Sequence, residues 1–327
     1  MRFRHVGRSN RDGDEGAETK LGPNVIAGVK ELRQNVTWSQ ATVMRNESST
    51  FDGSIRLIQL SVADKADILY GRKVKGVMGS SKWIESYTMP GQVIGLRFSD
   101  STSTEEPHIS TKLYSLAGSP YEGRRDSAYF DASIIEIVAD RNGCVDDKRL
   151  CELGPGSQLE VSQVVGRGFS SLFSSASSVP AAVEEGRPML LLAIGTKGLV
   201  PMRALLNWTP IQAHATKRKV ACLYMTRTAT TAAFLPGWDL WREAGVNFIP
   251  LYTEMFDPES STHQSDVLDL LEKTLFLREG GFSSLVGPPP AITVLISGAA
   301  GEVAAQLAKK LATKGVEHER MLFCDYF

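Results

Sequence analysis

The spacing of apolar residues changes period near residue 187, and that change asks for two different kinds of sheet in one chain. From Val36 to about Phe169 the runs "TWSQATVMRN", "SIRLIQLSVA", "GQVIGLRFS", "TKLYSLAG", "ASIIEIVAD" and "SQLEVSQVV" are rich in β-branched and aromatic residues. Many alternate apolar with polar positions, and Gly, Pro, Asp or Asn interrupts them. Six such runs without a convincing helix predict a small antiparallel β-barrel or sandwich. After residue 187 the run "PMLLLAIG" is continuously apolar, and helical spacing follows in "LVPMRALLNW". The strands "KVACLYMT", "VNFIPLYT" and "AITVLISG" then alternate with the helix candidates "PGWDLWREAG", "SDVLDLLEKTLFLREG" and "EVAAQLAKKLATKG". That order predicts a parallel sheet covered by helices on both faces.

The fold class is therefore a β-barrel followed by an α/β unit. Its expected boundaries are a polar tail over 1–34, the barrel over 35–170, a serine-rich linker over 171–187 and the α/β unit over 188–327. A chain of 327 residues is long enough for both cores. The formal net charge of −1 gives no global attraction to nucleic acid, so none is expected as a partner. The basic run "TKRK" at 216–219 reads as a solvated loop. Cys144, Cys151, Cys222 and Cys324 form no C-x-x-C pair and no metal-ligand spacing with the histidines, so no metal is expected. No apolar run reaches the roughly 20 residues of a bilayer span, so no transmembrane segment is expected. The first eleven residues are basic and lack acids, which fits either a transit-peptide remnant or a polar tail.

Two stretches have the residue types for cofactor chemistry. In "LLLAIGTKGLVPMRALL", 190–206, a strand, a glycine turn and a helix follow one another. Such a turn lets backbone N–H groups reach a phosphate at the positive end of the helix. Gly195 and Gly198 preserve the turn, while Thr196 adds a Cβ and Lys197 a cation. A turn that serves only the fold explains the stretch equally well. In "KLYSLAGSP", 112–120, Lys112 suits a phosphate, Tyr114 a ring face and Ser115 a ring edge. The alternative there is an ordinary barrel strand whose tyrosine packs at a rim.

The segments "PGQVIGLRF", "KLYSLAGSP", "GSQLEVSQVVGRGF", "LLLAIGTKGLVPMRALL", "VACLYMTR" and "VLISGAAGEV" occur in that order. Together they resemble the ferredoxin–NADP reductase superfamily over about Val36 to Phe327, and within it the plant oxidoreductase-like "fruit protein" members. The resemblance implies a barrel that binds FAD and an α/β unit that binds NADPH or NADH. In the barrel it assigns FAD to Gly91, Gln92, Lys112, Tyr114, Ser115 and Gly143. In the α/β unit it assigns the nucleotide to Gly195, Thr196, Gly198, Pro201, Arg227 and Gly298. Ser297 would neighbour the nicotinamide, and Ser297 and Tyr114 would be the catalytic pair. Tyr326 or Phe327 would cover the flavin, the alternative being a terminal strand that packs into the core.

Departures fall on these same positions. Lysine replaces the arginine of the family's "R-x-Y-[ST]", losing its bidentate fork. Asp146 and Asp147 stand where a diphosphate would arrive. Thr196 and Lys197 break the "G-G-[TS]-G" turn, Met225 replaces the glycine of "Y-G-x-R", and Ser297 replaces the cysteine of "C-G-P". Two functions follow. One is a flavoprotein oxidoreductase passing electrons from NAD(P)H through FAD to an acceptor protein or a quinone. The other is a non-catalytic descendant serving as a subunit of a larger organellar assembly, since fold and function are separable. An organelle, mitochondrion or chloroplast, is the expected location on the basic start and the resemblance.

Overall fold

The computed structural model describes residues 37–64, 67–69, 72–74, 82–98, 108–109, 112–128, 132–171, 174, 176–277, 281–299 and 301–324. The expected tail over 1–34, Tyr326 and Phe327 lie outside them.

The first half is an antiparallel, barrel-like sheet. Its strands are β1 (Trp38–Ser48), β2 (Ile55–Ala63), the short pair β3 (Asp67–Leu69) and β4 (Arg72–Val74), β5 (Val93–Ile94) and β6 (Leu96–Phe98). Then come β7 (His108–Ile109), β8 (Tyr114–Ser115), β9 (Ala132–Asp140) and β10 (Gln158–Ser162). The main sheet has the order β7-β6-β10-β1-β2-β9, and β5 pairs with β8 beside it. Mutual Val93–Val165 hydrogen bonds and the bond from Ala117 N–H to Glu136 O, 2.8 Å, carry the sheet round on itself. Alternation sets the register. Ile58, Leu60 and Val62 of β2 are fully buried on one face, as period-two patterning requires.

Two helices correct the helix-free reading of this half: α1 (Pro120–Ser127) and α2 (Val145–Glu152). The signal for α1 lies in "SPYE". Ser119 Oγ accepts from Glu122 N, and Ser119 N donates to Glu122 Oε2 at 3.0 Å, with Pro120 at the first helical position. This is a complete capping box, and it nucleates a helix too short to show periodicity. The stretch expected to be a linker also has structure: β11 (Ser170–Ser171) and α3 (Val179–Glu184), whose Val179 and Ala182 are buried.

The second half contains β12 (Met189–Ile194), α4 (Gly195–Leu206), α5 (Thr209–Ala215), β13 (Val220–Thr226), α6 (Leu235–Glu243) and β14 (Val246–Tyr252). It continues with α7 (Gln264–Glu272), α8 (Gly281–Leu285), β15 (Thr293–Ser297), α9 (Gly301–Thr313) and β16 (Met321–Cys324). The sheet order is β11-β16-β15-β12-β13-β14, parallel throughout except for β11. All six residues of β12 are buried because helices cover both of its faces. Met189, Leu191 and Ala193 meet α4 to α6, whereas Leu190, Leu192 and Ile194 meet α7 to α9.

The halves share one apolar cluster. Ile55, Ala117, Val138 and Phe169 of the barrel half pack with Leu199, Met202 and Leu206 of α4. Arg203 on α4 crosses the seam, donating to Ala117 O at 2.6 Å and Glu136 Oε2 at 2.7 Å. A partly buried ion pair that also bonds to a backbone carbonyl holds the units more firmly than an exposed pair.

His214, at the end of α5, has Nε2 2.7 Å from Arg187 O. Burial, followed by the nearby Arg218 cation, holds its pKa below the usual histidine value despite that bond. The fold therefore favours the neutral ring. Its contribution is fully present above the unfolded pKa of about 6.5 and is lost as pH falls through the lower folded value. Thermal unfolding of wild type and His214→Gln at neutral and mildly acidic pH should show the wild type losing more stability on acidification. An equal loss in both would exclude this histidine as the source.

Candidate functional site

Chain order in the parallel sheet reverses between β12 and β15, which makes their carboxyl ends the switch point where such sheets hold ligands. At the end of β12 the chain turns at Gly195, with φ of +69°, directly into α4. A helix start presents backbone N–H groups without intrahelical partners and a positive dipole end. Here a carboxylate of the chain reaches that start. Glu259, from the loop after β14, accepts from Lys197 N at 3.1 Å and pairs with Lys197 Nζ at 3.3 Å. A Cβ on Gly195 would fall on the Glu259 side chain, 2.6 Å from its Cδ, so glycine makes the room that Glu259 fills. Burial lowers the Lys197 pKa and the Glu259 carboxylate raises it, with a net rise that keeps the lysine charged.

The other residues assigned to this crevice are bound up in the fold. Thr196 is buried, its hydroxyl 3.4 Å from the Tyr224 hydroxyl. A Cβ on Gly198 would lie 2.5 Å from Ser297 O, and one on Gly298 would fall on Ile194 O and lie 2.7 Å from Gly198 Cα. These two glycines let the ends of β12, β15 and α4 touch backbone to backbone. Pro201 is buried inside α4, and its ring nitrogen has no hydrogen to donate to the preceding turn. Arg227 is exposed just beyond β13, its carbonyl accepting from Glu254 N at 2.9 Å. Ser297 is 1% exposed, and its Oγ has no hydrogen-bond partner among the described residues.

The barrel half repeats this arrangement. Lys112 Nζ lies 2.8 and 2.7 Å from the two carboxylate oxygens of Asp147. The side chains of this pair are 13% and 2% exposed. Asp147 is in the first turn of α2, where a carboxylate also meets the helix dipole. A Cβ on Gly143 would fall on Asp147 Oδ2, again leaving the carboxylate in the glycine's free space. Lys112 Nζ also sits 4.9 Å from the Tyr114 ring centroid. Tyr114 is 0% exposed and packs in the barrel core with Ile84, Tyr87 and Leu96, so no face of its ring is open. Ser115 is equally buried, and its Oγ has no partner among the described residues. Gln92 Oε1 accepts from Thr88 N and Met89 N, both at 2.9 Å, while its Nε2 donates to Gly166 O at 2.9 Å. Gly91 turns at φ of +86°, and its carbonyl accepts from Cys324 Sγ at 3.5 Å across the seam. Both residues hold a loop together.

These contacts decide how well a dinucleotide fits. Lys112 and the α2 helix start already have their anion, and that anion is buried. A flavin diphosphate would place like charge against Asp147, while its ring would find Tyr114 covered. In this arrangement FAD would have to displace the Lys112–Asp147 pair and uncover Tyr114. In the α/β unit Glu259 holds the corresponding place, but in a half-exposed pair. Asp147 was conspicuous in the sequence as one of two acids near the expected diphosphate. Glu259 lies 58 residues or more from every other assigned position except Arg227, Ser297 and Gly298, within a polar stretch, and carried no signal.

No protein-family model and no curated protein matches this chain. Solved structures do. The cytochrome P450 reductase GcoB of Amycolatopsis is similar at a TM-score of 0.54 and 16% identity, over 89% of this chain and 70% of that one. A flavohemoglobin from Malassezia yamatoensis, with bound FAD and heme, gives 0.53 and 12%, over 90% of this chain and 62% of that one. A variant ferredoxin-NADP+ reductase from Plasmodium falciparum with 2'P-AMP gives 0.50 and 10%, over 88% of this chain and 96% of that one. The fold is that of the ferredoxin–NADP reductase-like structures. Those names carry FAD and a nucleotide fragment, in line with the cofactors expected for the fold.

Proposed function

We propose that this chain uses the reductase fold without its redox chemistry, as a structural or interaction subunit. The observation that supports this most is the buried Lys112–Asp147 pair beside a fully covered Tyr114. Where a flavoprotein of this architecture needs a cation free for a phosphate and a ring face free for the isoalloxazine, this chain has spent both on itself. Membership of a larger organellar assembly and the likeness to the fruit-protein members belong to this reading. Among the described residues no helix is long and apolar enough to cross a membrane.

A second reading has its own support. Ser115 Oγ and Ser297 Oγ are buried without partners among the described residues, at the positions assigned to the flavin edge and the nicotinamide. Buried hydroxyls left unsatisfied are uncommon and call for an explanation. A flavoprotein oxidoreductase, using FAD with NADPH or NADH and handing electrons to an acceptor protein or a quinone, would supply one. The visible absorbance of protein purified from its own source, before and after addition of FAD and then of NADPH or NADH, separates the readings. Colourless protein that takes up no FAD is the expected result. Flavin bands that bleach with either nucleotide would establish the oxidoreductase and overturn the first reading.

A further inference from the structure

The two halves have different folds, yet each solves the same electrostatic problem in the same way. In each, a helix starts beside a glycine, a lysine lies at that start, and the space that a Cβ would take holds a carboxylate. In the barrel half the set is Gly143, Lys112 and Asp147. In the α/β unit it is Gly195, Lys197 and Glu259. Neither carboxylate merely decorates the surface. Asp147 is bound through both oxygens, and Glu259 divides its oxygens between a backbone N–H and an ammonium. Such donors are the ones a phosphate group would take at a helix start.

We propose that Asp147 and Glu259 are built-in anions, each filling from within the chain the place that a diphosphate would occupy in its half. The inference rests on the reading above and goes beyond it, because it states what replaced the cofactor charge. Asp147 satisfies its lysine, and Glu259 satisfies its lysine and one N–H of the α4 start, without any bound group. The two sites differ in strength. The Asp147 pair is almost wholly buried, whereas Lys197 and Glu259 side chains are 39% and 21% exposed, which leaves that pair more open to screening by solvent ions. Removing Glu259 therefore uncovers an anion site made of the Lys197 ammonium and the backbone N–H of the same residue.

Calorimetric titration with inorganic pyrophosphate at low ionic strength tests this on the full chain. Glu259→Ala should bind pyrophosphate at least about tenfold more tightly than wild type, since it removes a like charge beside the ligand. Adding Lys197→Met to Glu259→Ala should abolish the gain. Asp147→Ala, where it folds, should acquire a thermal stabilisation by pyrophosphate that wild type lacks. Equal affinity in wild type and Glu259→Ala would overturn the assignment, as would a gain that survives Lys197→Met. The readout needs no flavin, so a yellow wild-type protein would sink the proposed function while leaving this titration to be judged by itself.

Discussion

Replacing Gly298 by alanine should cost on the order of 4 kcal/mol of unfolding free energy or more, among the largest effects of any single substitution in the chain. The residue follows β15 with φ of +81°, a conformation that costs an L-residue roughly 1–2 kcal/mol. A Cβ there would also fall on Ile194 O and crowd Gly198 Cα and N, at 2.7 and 2.8 Å. Those neighbours are backbone at the ends of a central strand and its helix, so no rotamer change relieves the overlap. Gly156→Ala is the internal control. Its φ is +90°, but nothing lies within 4 Å of its absent Cβ, so denaturant unfolding should show the conformational cost alone. If Gly298→Ala were no worse than Gly156→Ala, close packing would not be the reason for the glycine, and an approaching ligand would be the better explanation.

That comparison bears on what a sequence can disclose. The strand β12, its glycine turn and α4 were legible because burial on both faces forces a continuous apolar run and the turn forces a glycine. The same physics produces Gly195, Gly198 and Gly298 whether or not a nucleotide follows. A glycine pattern records close approach of something to the backbone. In this structure that something is Glu259 at Gly195, Ser297 O at Gly198 and Ile194 O at Gly298.

The long barrel strands β1, β2, β9 and β10 were legible from alternation, and the order of the parallel strands from the regular exchange of apolar runs with amphipathic ones. The helices α1 and α2 were not, because eight residues give barely two turns and too few positions to establish a period. Local chemistry defines them instead: the Ser119–Glu122 capping box for α1, and two acids in the first turn of α2. Those acids conflict with a diphosphate by charge alone, which needs no structure to state. What required the structure was the partner. Lys112 and Asp147 are separated by 35 residues, and no local pattern pairs them. Arg203 with Glu136 at the seam was hidden for the same reason, since a long-range ion pair leaves no periodic trace.

The Lys112–Asp147 pair also yields the second large effect. Asp147→Ala leaves an ammonium, whose side chain is 13% exposed, without its carboxylate, and breaking a buried pair in this way costs about 3–5 kcal/mol. Part of that cost is the desolvated charge left behind rather than the lost attraction. Lys112→Met in the same chain should therefore recover most of the stability, because the methionine chain fills similar space without a charge to solvate. The cycle of wild type, both single variants and the double variant, read by denaturant unfolding, gives the coupling directly. A single-variant cost below about 1 kcal/mol would class the pair with exposed ion pairs, which contribute little, and the built-in anion of the barrel half would lose its structural basis. A large cost with recovery in the double variant would mean that the lysine is retained as half of an internal pair. Its persistence at the place where the resemblance expects a phosphate would then need no phosphate to explain it.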